Sequence, residues 1–206
     1  FTDKDKDTSY DESTASTVKL SGSSASVSGD GVAVSGSTVT ISKAGTYVIS
    51  GESNGVQIKV EAGDSDDVHI VLKGVTMTNT NAPISATKGG HVYLTLADGT
   101  TNTLSDSSSN SDEDADAVIF SKGDITINGS GTLNIEAKKN NGIKANDTLH
   151  ITSGTYKITA VGDAFNVNDE LNITGTTMTI DADEDAVKVD NDEDTSIGTM
   201  YLYDNT

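Results

Sequence analysis

The sequence predicts an all-β chain wound into a solenoid of stacked β coils, and three observations carry that prediction. First, Asn141 to Asp190 reads NGIKANDTLHITSGTYKITAVG, then DAFNVNDELNITGTTMTIDADE, then DAVKVD, so that two segments of 22 residues superimpose without a gap and a third begins in register. Asn141, Asp163 and Asp185 fall in one column, followed by Ile143, Phe165 and Val187, then Ala145, Val167 and Val189. Second, each unit holds three short stretches that alternate in steps of two, separated by turn residues; a fixed period of this kind marks a solenoid. Third, only 33% of the residues are hydrophobic, low for a globular core but sufficient for a stack in which each coil buries about six inward side chains.

The elements follow in order. Residues 1–16 (FTDKDKDTSYDESTAS) are charged and aperiodic and read as an extended arm or a partly ordered tail; short alternations from Val18 to Val34 read as a cap. This divides the chain into an arm and cap over 1–30 and a solenoid over 31–206. Val39, Ile41, Val48 and Ile49 open the first full coil, with Gly45 and Gly51 at its corners. Later units are cut at 55, 82, 116, 141, 163 and 185. The unit from 82 carries its surplus in SDSSSNSDEDADA, Ser105 to Ala117, too polar to bury. The next is expected to turn Val118 and Phe120 inward. Met200 and Leu202 stand 22 residues after Met178 and Ile180, which places them on the third strand of a frayed last coil. At roughly 3.3 Å per residue, 22 residues trace about 70 Å, enough for a three-sided coil, and about seven coils at ~4.8 Å form a rod about 30–35 Å long.

Composition narrows the function. With 32 acidic residues against 13 basic ones the net charge is −19, which disfavours nucleic acid as a partner. Acids at this density favour hard cations, Ca2+ among them. The absence of cysteine removes disulfides and zinc–thiolate sites. No apolar run is long enough to span a membrane. The abrupt start at Phe1-Thr2-Asp3 reads as a chain whose export signal has been removed.

The strings GTYVISGESNGVQIKV, VHIVLKGVTMTNT, LADGTTNTLSD, ITINGSGTLNI and NGIKANDTLHITSGTYKITA, occurring in this order along the whole chain, resemble the secreted carbohydrate-binding β-helix family whose fold is similar to calcium-dependent polysaccharide lyases. The coil heads Asn141-Gly142-Ile143, Asp163-Ala164-Phe165 and Asp185-Ala186-Val187 depart from the Asp-Gly-Ile common in that family. The resemblance implies a right-handed, single-stranded parallel β-helix, calcium, an extracellular or cell-surface setting, and binding of plant-wall polysaccharide such as cellulose or polygalacturonate.

Three Asp-x-Asp-x-Asp runs are the candidate metal ligands: Asp112, Asp114 and Asp116; Asp181, Asp183 and Asp185; Asp190, Asp192 and Asp194. Carboxylates two apart on an extended segment lie on one side, about 6.6 Å from each other, and converge on a cation where the segment bends at a corner. Adjacent coils add oxygens from Asn140, Asn141, Asp163 and Glu184. An EF-hand is not indicated, because Ala186 stands in place of its turn glycine and Asp192 in place of its bidentate glutamate. The plain alternative is that Asp and Asn occupy solvated corners and form side-chain ladders. A second polar column, Asn146-Asp147, Asn168-Asp169 and Asp190-Asn191, reads mainly as such a ladder.

Between the columns, alternation turns Gly142, Lys144, Ala164, Asn166, Ala186 and Lys188 outward, a flat strip on which a sugar chain can lie. Lys144 or Lys188 is the candidate base for β-elimination beside a uronate carboxylate; the alternative is that both only offset neighbouring acids. Tyr201 and Tyr203 alternate with Met200 and Leu202 and are expected to point outward, as sugar-stacking rings or as an end contact. Tyr10, Tyr47, Tyr93 and Tyr156 read as packing residues, and His69, His91 and His150 as surface residues. The sequence therefore reads as a non-catalytic polysaccharide binder. A calcium-dependent lyase is the second reading, and a structural or adhesive surface module the third.

Overall fold

The structure is a computed structural model and describes residues 1–206. Apart from a four-residue helix, Asp3–Lys6, its regular structure is β. Three ladders of parallel strands run along the stack. The first contains Thr38–Ile41, Gln57–Glu61, Ile84–Lys88, Ala117–Ser121, Asn141–Ala145, Phe165–Val167 and Val187–Val189. The second contains Val92–Leu96, Ile125–Gly129, Thr148–Ile151, Glu170–Thr174 and Thr199–Tyr203, and the third Thr101–Ser105, Thr132–Ala137, Gly154–Ala160 and Thr176–Ala182. The long strands Gly45–Asn54 and Val68–Thr78 run through both, which joins the second and third ladders in one sheet. At one end Ser16–Gly22 pairs in parallel with Gly45–Asn54, and two antiparallel hairpins, Ser16–Gly22 with Ser24–Ser28 and Val32–Ser35 with Thr38–Ile41, cover the stack.

Alternation fills the interior. Inward side chains of all three ladders form one cluster of 40 buried residues, in which Ile143 stacks on Phe165 and Phe165 on Val187 in direct register. Burying a side chain such as Phe165, which is wholly inaccessible, stabilises the fold by about 1.5–3 kcal/mol. Tyr47 and Tyr156 are inside as expected, and each hydroxyl donates to a main-chain carbonyl, of Lys43 at 2.8 Å and of Ser153 at 2.7 Å. Coil corners use glycine where the next coil approaches closely: at Gly129, with φ +99°, a Cβ would lie 2.2 Å from the Leu96 carbonyl oxygen.

Register differs from the sequence reading in three places. Ala117, not Asp116, pairs with Asn141, so Ile119 takes the inward place beside Ile143 and Phe120 turns outward beside Lys144. The long loop before this coil hid the one-residue offset. Gly142 and Ala164 do not join the outward strip: Ala164 lies in the core, and a Cβ on Gly142 would meet the Ala164 carbonyl oxygen at 2.6 Å and Ile158 Cγ2 at 2.9 Å. The chain bends inward at the coil head, which interrupts strict alternation. Finally, Thr199–Tyr203 belongs to the second ladder, pairing Met200 with Leu171 and Leu202 with Ile173. The turn before it, through Ile197 and Gly198, is longer than in the preceding coils, and a fixed 22-residue ruler passes over it.

Residues 1–15 are not a free arm. They lie across the outward side of the second ladder, and their main-chain hydrogen bonds are local ones, Asp7 N to Lys4 O and Thr14 N and Ala15 N to Asp11 O.

Candidate functional site

The coil-head column is a hydrogen-bonded ladder. Asn141 Oδ1 accepts from Asp163 N at 3.2 Å, Asp163 Oδ1 from Asp185 N at 3.0 Å, and Asp163 Oδ2 from Asn166 Nδ2 at 2.7 Å. One coil back, Asp116 Oδ2 accepts from Asn140 Nδ2 at 2.5 Å, while Asp116 Oδ1 receives Lys144 Nζ at 2.8 Å and Asn141 Nδ2 at 3.5 Å. Asp112 Oδ1 caps a turn at Ala115 N, 3.1 Å away, and Asp114 is exposed. Asp181, Asp183, Glu184 and Asp185 are exposed on the last coil. Across the chain, no three acidic or histidine side chains are gathered as a ready metal cluster. The oxygens of Asn141, Asp163 and Asp116 are engaged by amides and an ammonium, so this column does not fit a cation as it stands.

The second polar column is different. A groove of about 570 Å³ is lined there by Lys122, Asp147, Asp169, Asp190, Asp192 and Asp194 among others. Burial raises the Asp147 pKa, the nearby Asp124 and Asp169 carboxylates raise it further, and Lys122 offsets part of the effect. Like charges stacked one coil apart disfavour ionisation, the circumstance a divalent cation relieves. Part of the column is engaged: Asp169 Oδ1 accepts from Asn191 Nδ2 at 2.7 Å, and Asp194 Oδ1 from Ser196 N at 2.9 Å. Asp147, Asp190 and Asp192 line the same groove without being gathered as a three-carboxylate cluster.

The outward row of the first ladder brings Lys59, Ser85, Phe120, Lys144, Asn166 and Lys188 into register, so Lys144, Asn166 and Lys188 share one strip as expected. Phe120 was missed in this role; it is 4% exposed because Ala82 and Ala115 cover it from outside. Beside it a pocket of about 400 Å³ is lined by Thr87, Asp114, Phe120, Lys122, Lys144 and Asn146. Shifting the register by one residue also identifies Lys122, two places beyond Phe120. Tyr201 and Tyr203 lie elsewhere, on the second ladder, 58% and 75% exposed.

The second ladder's outward row is His69, Tyr93, Thr126, His150, Asn172 and Tyr201. The histidines point outward, but residues 1–15 cover them, which corrects their assignment as surface residues. Asp5, 2% exposed, receives Thr126 Oγ1 at 2.6 Å, and its carbonyl accepts from Asn128 Nδ2 at 3.1 Å and Thr152 Oγ1 at 3.0 Å. Burial opposes the Asp5 charge, but hydrogen bonds from Thr126, Thr2 and His150 outweigh it and hold the pKa below the ordinary carboxylate range. Lys4 pairs with Asp67 and sits 4.6 Å from the Tyr93 ring centroid; burial, with Asp67 and Asp5 nearby, pushes that tyrosine's pKa up to about 12.

An in-register polar strip beside an acidic groove on a parallel-stranded stack is a surface suited to an extended polymer, and the sequence model of a family described as carbohydrate-binding domain-containing proteins matches residues 35–206. The chain belongs to that family.

This carbohydrate-binding domain is 38% identical over 125 residues to a protein of Acetivibrio thermocellus that is itself described as carbohydrate-binding domain-containing. The match takes in 58% of this chain and 44% of the relative, so the chain corresponds to less than half of that protein. A solved structure described as the polysaccharide lyase-like protein from C. thermocellum, gadolinium derivative, superposes on the domain with a TM-score of 0.86 at 34% identity, over 90% of this chain and 79% of that one.

Proposed function

We propose that this domain is a secreted, non-catalytic, calcium-supported binder of plant cell-wall polysaccharide, with cellulose or acidic chains such as polygalacturonate as ligands, built as a right-handed parallel β-helix of about seven coils. The observation that carries this reading is the in-register strip Lys144, Asn166 and Lys188 on the first ladder, bordered by the groove of Asp147, Asp190 and Asp192. The strip offers ammonium and amide donors to sugar oxygens along the stack. Calcium, when bound, supplies a bridge between protein carboxylates and uronate carboxylates. Its support here comes from the carboxylates of Asp147, Asp169, Asp190 and Asp192 lining one groove, and from a fold neighbour whose structure is described as a gadolinium derivative, gadolinium being another hard, oxygen-seeking cation.

A second reading, a calcium-dependent lyase acting by β-elimination, is favoured by the polysaccharide lyase-like description of that neighbour. Against it, Lys144 donates to Asp116 at 2.8 Å, so a lysine needed as a neutral base is engaged as a cation. Retention on insoluble cellulose and on immobilised polygalacturonate, with calcium and with chelator, tests the binding reading. Loss of retention on every wall polymer would leave a structural or adhesive module. Release of unsaturated uronate at alkaline pH would establish the lyase instead.

A further inference from the structure

Residues 1–15 are bound to the solenoid as a ligand is bound. No main-chain hydrogen bond joins them to it, so they are not an added strand. They are held by side chains of the second ladder: Thr126 grips the Asp5 carboxylate, Asn128 donates to the carbonyls of Asp5 and Asp7 at 3.1 and 3.0 Å, and Thr152 donates to Asp5 O at 3.0 Å. Rings meet rings at both ends of the segment, Phe1 against His150 at 5.2 Å and Tyr10 against His69 at 6.4 Å, both edge-on. Tyr10 and Ala15, at the far end of the segment, pack on a small apolar cluster of Val48, Val71 and Ala97, whereas the surface under residues 1–7 is polar and aromatic, the composition of a recognition face.

The row does not end where the segment ends. His69, Tyr93, Thr126, His150, Asn172 and Tyr201 succeed one another once per coil, at the ~4.8 Å spacing of paired strands. Tyr201, at the open end, is 58% exposed. Next to it Asn172 is only 8% exposed, yet its Oδ1 has no donor, a cost that a ligand hydroxyl removes.

We propose that this row is a second polysaccharide-binding face, distinct from the Lys144 strip, and that residues 1–15 occupy most of it as a displaceable internal ligand. An extended sugar chain offers what the segment offers: oxygen acceptors along its edge for Thr126, Asn128 and Thr152, and ring faces for the aromatic side chains. Displacement exposes the row from His69 to His150, continuous with the platform at Asn172 and Tyr201. The inference rests on the carbohydrate-binding reading above, but it concerns a different face.

The test uses the full chain carrying Asp5→Ala, which removes the carboxylate held by Thr126. Release of the segment is read by tryptic cleavage after Lys4 and Lys6, and binding by retention on insoluble cellulose and immobilised polygalacturonate. If the wild-type segment is docked nine-tenths of the time, its release raises apparent affinity about tenfold. Adding Thr126→Val to Asp5→Ala is expected to abolish the gain, and Lys188→Ala to leave the gain intact. A released segment with unchanged or weaker retention would overturn the proposal while leaving binding on the Lys144 strip standing. So would a segment that stays docked both in Asp5→Ala and in the Lys4→Glu/Asp5→Ala double variant. Loss of retention in the wild type and every variant would instead bring down the carbohydrate reading of both faces.

Discussion

Lys144 reaches one coil back to Asp116, with Nζ 2.8 Å from Oδ1, and each side chain retains only 20% of its surface. Asp116 is held in turn by Asn140, so the ammonium sits in a fixed place on the first ladder's outward row. The lysine that alternation selects as a base is thus also the one that neutralises a partly buried carboxylate. Removing it leaves Asp116 without its cation. Lys144→Ala is expected to lower stability by about 1.5–3 kcal/mol, the range for a hydrogen bond to a charged group, and to weaken retention on polygalacturonate severalfold without altering any release of unsaturated uronate. Thermal melting and the pull-down check the two parts, and lost uronate release in the variant would restore the catalytic role.

Calcium is expected to act through the second polar column and not through the coil heads. At a hundredfold excess over Kd a single site stabilises by about 2.7 kcal/mol, a rise in Tm on the order of 5 °C or more for a chain of this size. The rise should disappear with chelator and shrink in Asp147→Asn, whose pKa is raised by burial and by Asp124 and Asp169. Asn141→Ala should leave it intact. Identical melting curves with calcium and with chelator would argue against a site at this column.

The docking of residues 1–15 should weaken in acid. His69 and His91 lie beneath the segment with pKa values lowered first by burial. Asp7 and Lys4 face His69; Asp124, Asp5, Asp67 and His150 face His91. A histidine whose docked pKa lies below its free value contributes stability above that free value, about 6.5, and loses it as pH falls toward the docked pKa. The lowered pKa of Asp5 acts in the same direction, its contribution fading below about pH 4. Amide NMR shifts of residues 2–7 should therefore move toward free-peptide values between pH 7 and pH 5. Invariant shifts across that interval would contradict the histidine contribution.

The coil heads should tolerate little added volume. A Cβ at Gly142 would press on the Ala164 carbonyl oxygen at 2.6 Å and on Ile158 Cγ2 at 2.9 Å. Gly142→Ala is expected to destabilise the fold by about 1–3 kcal/mol, as overpacking does, despite the usual benefit of replacing glycine. Urea denaturation measures it directly, and an unchanged midpoint would show that the coils can separate to admit the methyl group.

What could be read in advance follows from how local each cause is. The columns Ile143, Phe165 and Val187 and Ala145, Val167 and Val189 are legible because inward and outward directions alternate along any extended segment, whatever its partners. The strip Lys144, Asn166 and Lys188 was legible for the same reason. Phe120 and Lys122 were not, because the loop before Ala117 breaks the period and moves the register by one residue. Spacing leaves the coil-head acids open as metal ligands or as a side-chain ladder, and in the structure Asn141, Asp163 and Asp116 are engaged by amide and ammonium donors. Which oxygen meets an N–H depends on the neighbouring coil's exact height, and residue spacing along one coil does not encode it.

Alone, the sequence determined that this chain stacks parallel β coils, because a repeat of 22 residues with period-two alternation can bury its apolar side only against copies of itself. The tertiary structure alone decided which faces are open. Residues 1–15 cross the second ladder and hide Thr126 and His150, which lie more than a hundred residues further along the chain. Such docking depends on complementarity between surfaces that share no period, so no pattern within the segment announces it.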